Sequence, residues 1–283
     1  MKGPVRKLIM KNVGIVCCSN GQSIAYKKDI DELIDILKAK GINPVLSDYI
    51  YENGSAGAGT AIERANALMK FYMDYTISEI YDISGGDIAN EILPYLDNIE
   101  IWKSNKIFYG YSDLTTVINA LYTLTGRESV LYQVKNLVWD KTGLQKNIFL
   151  TEEMFDFDYK FLQGNKMEGF VVGGNIRCLL KLAGTRYFPD ISKKKIIFLE
   201  ANSGMEPQLS TYFAQLKQMG VFEKLGGVLL GTFSEMRENG REDEAIRIAM
   251  SYIGDGVPVA KTDDIGHQHS SKAIVIGRKY VFE

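Results

Sequence analysis

Lys106-Ile-Phe-Tyr-Gly-Tyr-Ser-Asp-Leu114 reads as an apolar strand that halts at glycine and turns at once into a helix. Leu114, Val117, Ile118 and Leu121 follow at i, i+3, i+4 and i+7, the spacing of one buried helical face. A strand feeding a helix in this way is half of a βαβ unit, and the pattern repeats upstream. Val13-Cys18 is a short apolar strand ending in the turn cluster Ser19-Asn20-Gly21. A helix from about Asp29 carries Ile30, Leu33, Ile34 and Leu37, and Pro44-Leu46 starts a second extended segment. The glycine-rich loop from Tyr51 to Gly59 leads to Thr60-Ala-Ile-Glu63, a capping box that opens the next helix. Glu79-Ile83 reads as a strand and Ile88-Leu96 as a helix. Strand–helix alternation of this kind predicts an α/β fold, a parallel sheet with helices on both faces.

The alternation fades after about Val138, where tryptophan, charge and Gly164-Asn165 suggest a crossing between domains. The expected division is an N-terminal α/β domain over residues 1–160 and a second domain over residues 161–283. In the second half a helix is expected from about Asn175, strands at Lys195-Leu199, Gly227-Leu230 and Val257-Ala260, and helices at Pro207-Met219 and Ala245-Ile253. Lys272-Ile276 and Lys279-Phe282 flank Gly277-Arg278, which suits a two-residue hairpin.

The chain has 283 residues, 46% hydrophobic and 24% charged, ample for a buried core in a soluble globular protein. Thirty-three basic residues against 35 acidic give a net charge of -2, which removes the electrostatic reason to expect nucleic acid or an anionic membrane as partner. The basic N-terminus (Lys2, Arg6, Lys7, Lys11) raises the question of a signal peptide, but Val13-Cys18 is too short for its apolar region. No run approaches the ~18 apolar residues of a membrane span. Three cysteines cannot all pair, and a Cys17-Cys18 disulfide would be strained, so reduced thiols and a cytoplasmic address are expected.

Both histidines of the chain lie in His267-Gln268-His269, so an imidazole base has only one source. Ser112, at a strand-to-helix turn, is either a helix N-cap or a nucleophile presented at the carboxyl edge of the sheet. Ser84-Gly85-Gly86-Asp87 follows a strand, and its glycines suit either an ordinary turn or a backbone nest for an anion. Glu200 terminates an apolar strand, as a solvated end or as a carboxylate able to orient an imidazole. Two histidines at i, i+2 without H-E-x-x-H or Cys-x-x-Cys do not make a metal site, and none is expected. Gly54-Ser-Ala-Gly-Ala-Gly-Thr60 has P-loop glycine spacing but no lysine, and reads as a mobile loop before a capped helix.

Taken together, Gly110-Tyr-Ser-Asp113, Gly85-Gly86 with Leu93-Pro-Tyr-Leu-Asp97, Gly173-Gly-Asn175, Phe198-Leu-Glu200 and Gly266-His267 occur in the order found in the LD-carboxypeptidases. Gly184-Thr-Arg-Tyr-Phe-Pro-Asp190 and Leu216-Lys-Gln-Met-Gly-Val-Phe222 add to the match. The chain resembles this serine-peptidase family, which includes the microcin C immunity proteins, from about Val13 to Gly277. The resemblance implies an N-terminal flavodoxin-like domain related to class I glutamine amidotransferases, and a smaller C-terminal β/α domain. It implies Ser112 as nucleophile, His267 as base, Glu200 orienting it, and an oxyanion hole from the backbone amides of Gly86 and Asp113. No cofactor is implied; a small peptide substrate, a muropeptide ending in D-alanine, and a homodimer are. Ser84, Gly85 and His269 are candidate substrate contacts.

The chain departs from the family at Ser84, where many members have arginine, and at Leu131-Tyr-Gln133, which lacks Gly-Pro. It also departs at Ala201-Asn202 after Glu200 and at Gln268-His269 after the base. These departures leave open an aminoacyl-nucleotide substrate of the immunity type. A non-catalytic peptide-binding protein is the alternative from another class, and the presence of all three triad residue types speaks against it. An α/β-hydrolase esterase would need G-x-S-x-G, and a glutaminase would need a thiol where Ser112 stands.

Overall fold

Strand β1 (Lys11–Val16), fully buried over its last four residues, lies inside the first of two six-stranded sheets. The computed structural model describes residues 11–283 apart from 55, 97, 98 and 193. Lys2, Arg6 and Lys7, and Asp97 of the family-like stretch, therefore lie outside the described residues. β2 (Ile42–Leu46), β3 (Ile77–Asp82), β4 (Ile107–Gly110) and β5 (Ser129–Leu131) complete a parallel array in the order β2-β1-β3-β4-β5. That order is the flavodoxin-like one, whose ligand crevice lies beyond the carboxyl ends of the strands where the chain reverses direction across the sheet. The second sheet is built from β6 (Lys160–Gln163), β7 (Met167–Asn175), β8 (Lys195–Ala201), β9 (Gly227–Phe233) and β10 (Val259–Lys261). In it β7, β8, β9 and β10 run parallel, and β6 pairs antiparallel with β10.

The last two strands correct the expected hairpin. β11 (Ile274–Ile276) pairs antiparallel with β5 in the first sheet, whereas β12 (Lys279–Phe282) pairs antiparallel with β7 in the second. The connection is a crossing between sheets. Gly277 has φ +90, donates its amide to Val171 O at 2.8 Å, and sits so close to Tyr122 that a Cβ would lie 2.6 Å from its ring. A two-residue link with a left-handed glycine serves either arrangement, and the strand partners decide.

Three further elements differ from expectation. Ile88-Leu96 is not an α-helix but a 3-10 segment over Ala89–Tyr95, because Pro94 lacks the amide an α-helical turn there needs. The helix expected from about Asn175 is only five residues, Ile176–Leu180, with Asn175 as its cap accepting from Cys178 N at 3.2 Å. The stretch after Val138 is not a bare crossing, since it contains a helix at Leu144–Ile148 and the edge strand β6. The capping box at Thr60 does form: Glu63 N donates to Thr60 Oγ1 at 3.3 Å and Thr60 N to Glu63 Oε2 at 2.8 Å.

The helix Thr115–Thr125 ties the two sheets together. Val117, Ile118 and Leu121 are buried in a core continuous with that of the second sheet. On its other side Asn119 clasps the backbone of Gly173, with Nδ2 donating to its carbonyl at 2.9 Å and Oδ1 accepting from its amide at 2.8 Å. Thr115 Oγ1 accepts from Asn175 N at 3.0 Å. Asn175 is in register with Glu200 on the neighbouring strand. The helix that begins at Ser112 is thus bolted to the strand pair that ends at Glu200, and both residues are held in one frame. Among the described residues, no helix is long and apolar enough to cross a membrane.

Candidate active site

Ser112 occupies the turn between β4 and its helix with φ 58, a left-handed conformation that costs a non-glycine residue about 1–3 kcal/mol. The surrounding structure overrides that cost, since Tyr111 and Leu114 are buried and Leu114 N donates to Tyr111 O at 3.1 Å to close the first turn. The N-cap reading of Ser112 is corrected here. Tyr111 takes the cap position, no side chain caps the turn, and Ser112 Oγ lies 3.1 Å from His267 Nε2.

His267 Nδ1 lies 2.7 Å from Glu200 Oε2. Glu200 is fully buried at the end of β8, while the His267 side chain keeps 15% exposure. An imidazole that donates from Nδ1 to a carboxylate presents a bare Nε2, the tautomer that accepts a proton from a hydroxyl. The loop bearing His267 is anchored on both sides: Thr232 N donates to Ile265 O at 3.0 Å and Gly266 N to Ser271 Oγ at 3.1 Å. At Gly266 there is no room for a side chain, because a Cβ would fall 1.6 Å from Thr232 Oγ1. Tyr111 closes the far side, with its ring edge-on to the imidazole at a centroid distance of 4.9 Å. Burial first, and then the charge of Glu200, raise its phenol pKa well above the ordinary value.

The two loops expected to offer backbone amides meet beside Ser112. Asp113 is completely buried, and its carboxylate accepts from Ser19 Oγ at 2.6 Å, Ala89 N at 2.8 Å and Lys181 Nζ at 2.6 Å. Lys181 also donates to Asp87 O at 2.8 Å, so one lysine from beyond β7 holds the Gly85-Gly86-Asp87 turn against the Ser112-Asp113 turn. Arg177 pairs with the Asp87 carboxylate. Partial burial pushes the Asp87 pKa up, but Arg177 and Lys181 outweigh it and the net shift is downward. Gly86 has φ +116, and a Cβ there would overlap Asn20 Oδ1, which accepts from Asp87 N at 3.1 Å. The amides of Ser112 and Asp113 precede the first turn-closing bond and have no acceptor within that turn.

Ser112 and His267 open into a hollow of about 190 Å³ lined also by Ser84, Gly85, Lys135, Trp139 and His269. The Ser84 hydroxyl is committed to the wall, donating to Asp82 Oδ1 at 2.5 Å and accepting from Ser19 N at 3.0 Å. His269 packs against Trp139 with ring centroids 5.4 Å apart. Trp139, whose segment reads in sequence as a domain crossing, is a wall of this hollow. A second hollow of about 120 Å³ lies on the other side of His267, with Asn202, Thr232, Arg237 and Glu238 in its wall. Sequence reasoning missed Lys135, Lys181 and Thr232, each an isolated residue within an unremarkable segment. Cys17, Cys18 and Cys178 are free and buried, and burial raises all three thiol pKa values, which leaves them inert. Among the described residues no cluster of His, Cys, Asp and Glu is placed to hold a metal ion.

Comparison with known proteins places the fold in a family. The family model of the LD-carboxypeptidase N-terminal domain matches residues 13–132, and that of the LD-carboxypeptidase C-terminal domain matches residues 168–281. The microcin C7 self-immunity protein MccF of Escherichia coli is 23% identical, over 96% of this chain and 90% of its own length. A solved structure of MccF with glutamyl sulfamoyl guanosine superposes with a TM-score of 0.82 at 22% identity, covering 96% of this chain and 93% of that one. The muramoyltetrapeptide carboxypeptidase from Oxalobacter formigenes gives a TM-score of 0.79 at 23% identity, covering 96% and 94%.

Proposed function

Because this chain belongs to the LD-carboxypeptidase family, we propose that it is a serine-type carboxypeptidase with Ser112 as nucleophile, His267 as general base and Glu200 as the group that orients the base. The observation that carries the reading is the pair of contacts on one imidazole, 3.1 Å to Ser112 Oγ and 2.7 Å to Glu200 Oε2. His267 takes the Ser112 proton as the oxygen attacks an amide carbonyl, then gives it to the departing amine. The acyl-serine is released by water, deprotonated at the same Nε2. The amides of Gly86 and Asp113 are the donors for the oxyanion, each worth about 3 kcal/mol. The positive φ at Ser112 supports the assignment, since strain of this kind clusters at reacting residues.

The substrate in this reading is a muropeptide losing a terminal D-alanine, in the cytoplasm, with a homodimer as the working form. The buried free thiols suit a reducing compartment. A second reading, cleavage of an aminoacyl-nucleotide conjugate, draws on the likeness to MccF and on the aromatic wall at Trp139. Two measurements test the proposal. Intact-mass analysis after treatment with a fluorophosphonate should show one adduct on the wild type and none on Ser112→Ala; equal labelling of both would remove Ser112 as nucleophile. Product masses from a tetrapeptide ending in D-alanine and from an aminoacyl sulfamoyl nucleoside should show release of D-alanine from the first. Turnover of only the second rejects the muropeptide.

A further inference from the structure

Among the described residues, Lys135 is the only lysine or arginine in the wall of the hollow that contains Ser112 and His267. Its Nζ donates to Gln22 Oε1 at 2.9 Å and stands 4.5 Å from the centre of the Trp139 ring. Among the described residues no carboxylate comes within ion-pair distance of it. An ammonium has three donors, and here one meets a neutral amide while no carboxylate is in contact with it. Burial lowers its pKa below that of an ordinary lysine, against the opposing charges of Cys17, Asp82 and Asp29, none of which it touches. The hollow beyond His267 differs. Its arginine, Arg237, already pairs with Glu242, with Nη2 to Oε1 at 2.5 Å, and with Asp263. The two hollows therefore differ in ion pairing, with a cation free of carboxylate contact on the Trp139 side and a directly paired one on the other.

We propose that Lys135 is the residue that receives an anionic group on the leaving portion of the substrate, placing that portion in the Trp139 hollow and the acyl portion on the Arg237 side. The inference rests on the serine-carboxypeptidase reading and adds to it the polarity of substrate binding. A terminal amino acid carries its carboxylate one carbon beyond the scissile nitrogen, so a cation sharing the cavity of the nucleophile is the group it would meet. A phosphoryl or sulfamoyl group of a nucleotide conjugate offers the same chemistry, and the experiment separates the two.

Wild type, Lys135→Gln and Lys135→Arg are compared on a tetrapeptide ending in D-alanine and on the same peptide ending in D-alaninamide. Wild type is expected to prefer the acid, with the preference mostly in KM. In Lys135→Gln, kcat/KM for the acid falls about tenfold to a hundredfold, the worth of a charged hydrogen bond, and the amide is nearly unaffected. Lys135→Arg keeps part of the preference. Fluorophosphonate labelling of Ser112 at the wild-type rate verifies that each variant retains its site. An acid-to-amide ratio unchanged in Lys135→Gln overturns the inference while leaving the nucleophile assignment intact, and absent Ser112 labelling defeats the parent reading instead. Binding gives a readout independent of turnover: Trp139 fluorescence in Ser112→Ala is titrated with N-acetyl-D-alanine and with adenosine monophosphate. Lys135-dependent binding of the first supports a carboxylate, and of the second alone a phosphoryl group. A response to neither, or one indifferent to Lys135→Gln, refutes the anion site.

Discussion

Gly266→Ala is the most demanding test of how the imidazole is held, because it changes one residue that performs no chemistry. A Cβ built there lies 1.6 Å from Thr232 Oγ1, 2.7 Å from Thr232 Cβ and 2.6 Å from Gln268 Oε1. Ordinary contact is about 3.5–4 Å, so roughly 2 Å of separation must be found. Gln268 is half-exposed and swings away, but Thr232 is fully buried in β9 and gives little. If strand and loop share the displacement, the loop bearing His267 moves about 1 Å, and a shift of that size lowers a rate by about 10²-fold. The overpacking also costs about 1–3 kcal/mol of stability. The assays are pre-steady-state acylation by a neutral p-nitrophenyl ester and a thermal melt. Thr232→Ala removes the worst contact, so Gly266→Ala/Thr232→Ala should recover at least tenfold of the lost acylation rate. A single variant as fast as wild type, or a double variant no faster than the single, refutes the account of Gly266 as the residue that seats the base.

Glu200→Gln should lower kcat roughly 10⁴-fold with KM little changed, by offering His267 Nδ1 an amide and favouring the wrong tautomer; stopped-flow turnover measures it, and a loss below tenfold removes the orienting role. For Asp87 the sign of the acid limb follows from its downward pKa shift. The unfolded value is the ordinary 3.8 and the folded value lies below it, so the contribution to stability is complete above pH 3.8 and disappears as pH falls through the folded value. With 62% of its side chain exposed, screening limits that contribution to about 0–1 kcal/mol. Urea unfolding of Asp87→Asn should show a deficit of this size at pH 7 that shrinks as pH falls below 3.8; a deficit independent of pH would mean that the bridge to Arg177 and Lys181 is not its source.

Legibility in the sequence followed one physical line. Ser112, Gly86, Glu200 and His267 sit at or just beyond strand ends, where the local pattern left each with two readings and the family resemblance chose between them. Lys135, Trp139 and Lys181 matter only through contacts made across the molecule, such as the Lys181 bonds to Asp87 and Asp113 from 94 and 68 residues away. Nothing in their own neighbourhoods signals this. Glycine marks the boundary between the two cases. In β7 the run Gly173-Gly174-Asn175 forms the last three residues of the longest strand of the second sheet. A Cβ at Gly173 would stand 2.3 Å from Phe198 O, and one at Gly174 would meet Thr115 Oγ1 at 2.5 Å. The first glycine is therefore demanded by the strand that carries Glu200, and the second by the helix that begins at Ser112. Gly173 and Gly174 are thus the residues that let the two halves of the site approach. Enlarging Gly174 should accordingly separate Ser112 from His267 while both sheets stay folded, which is how a positioning glycine differs from a turn glycine.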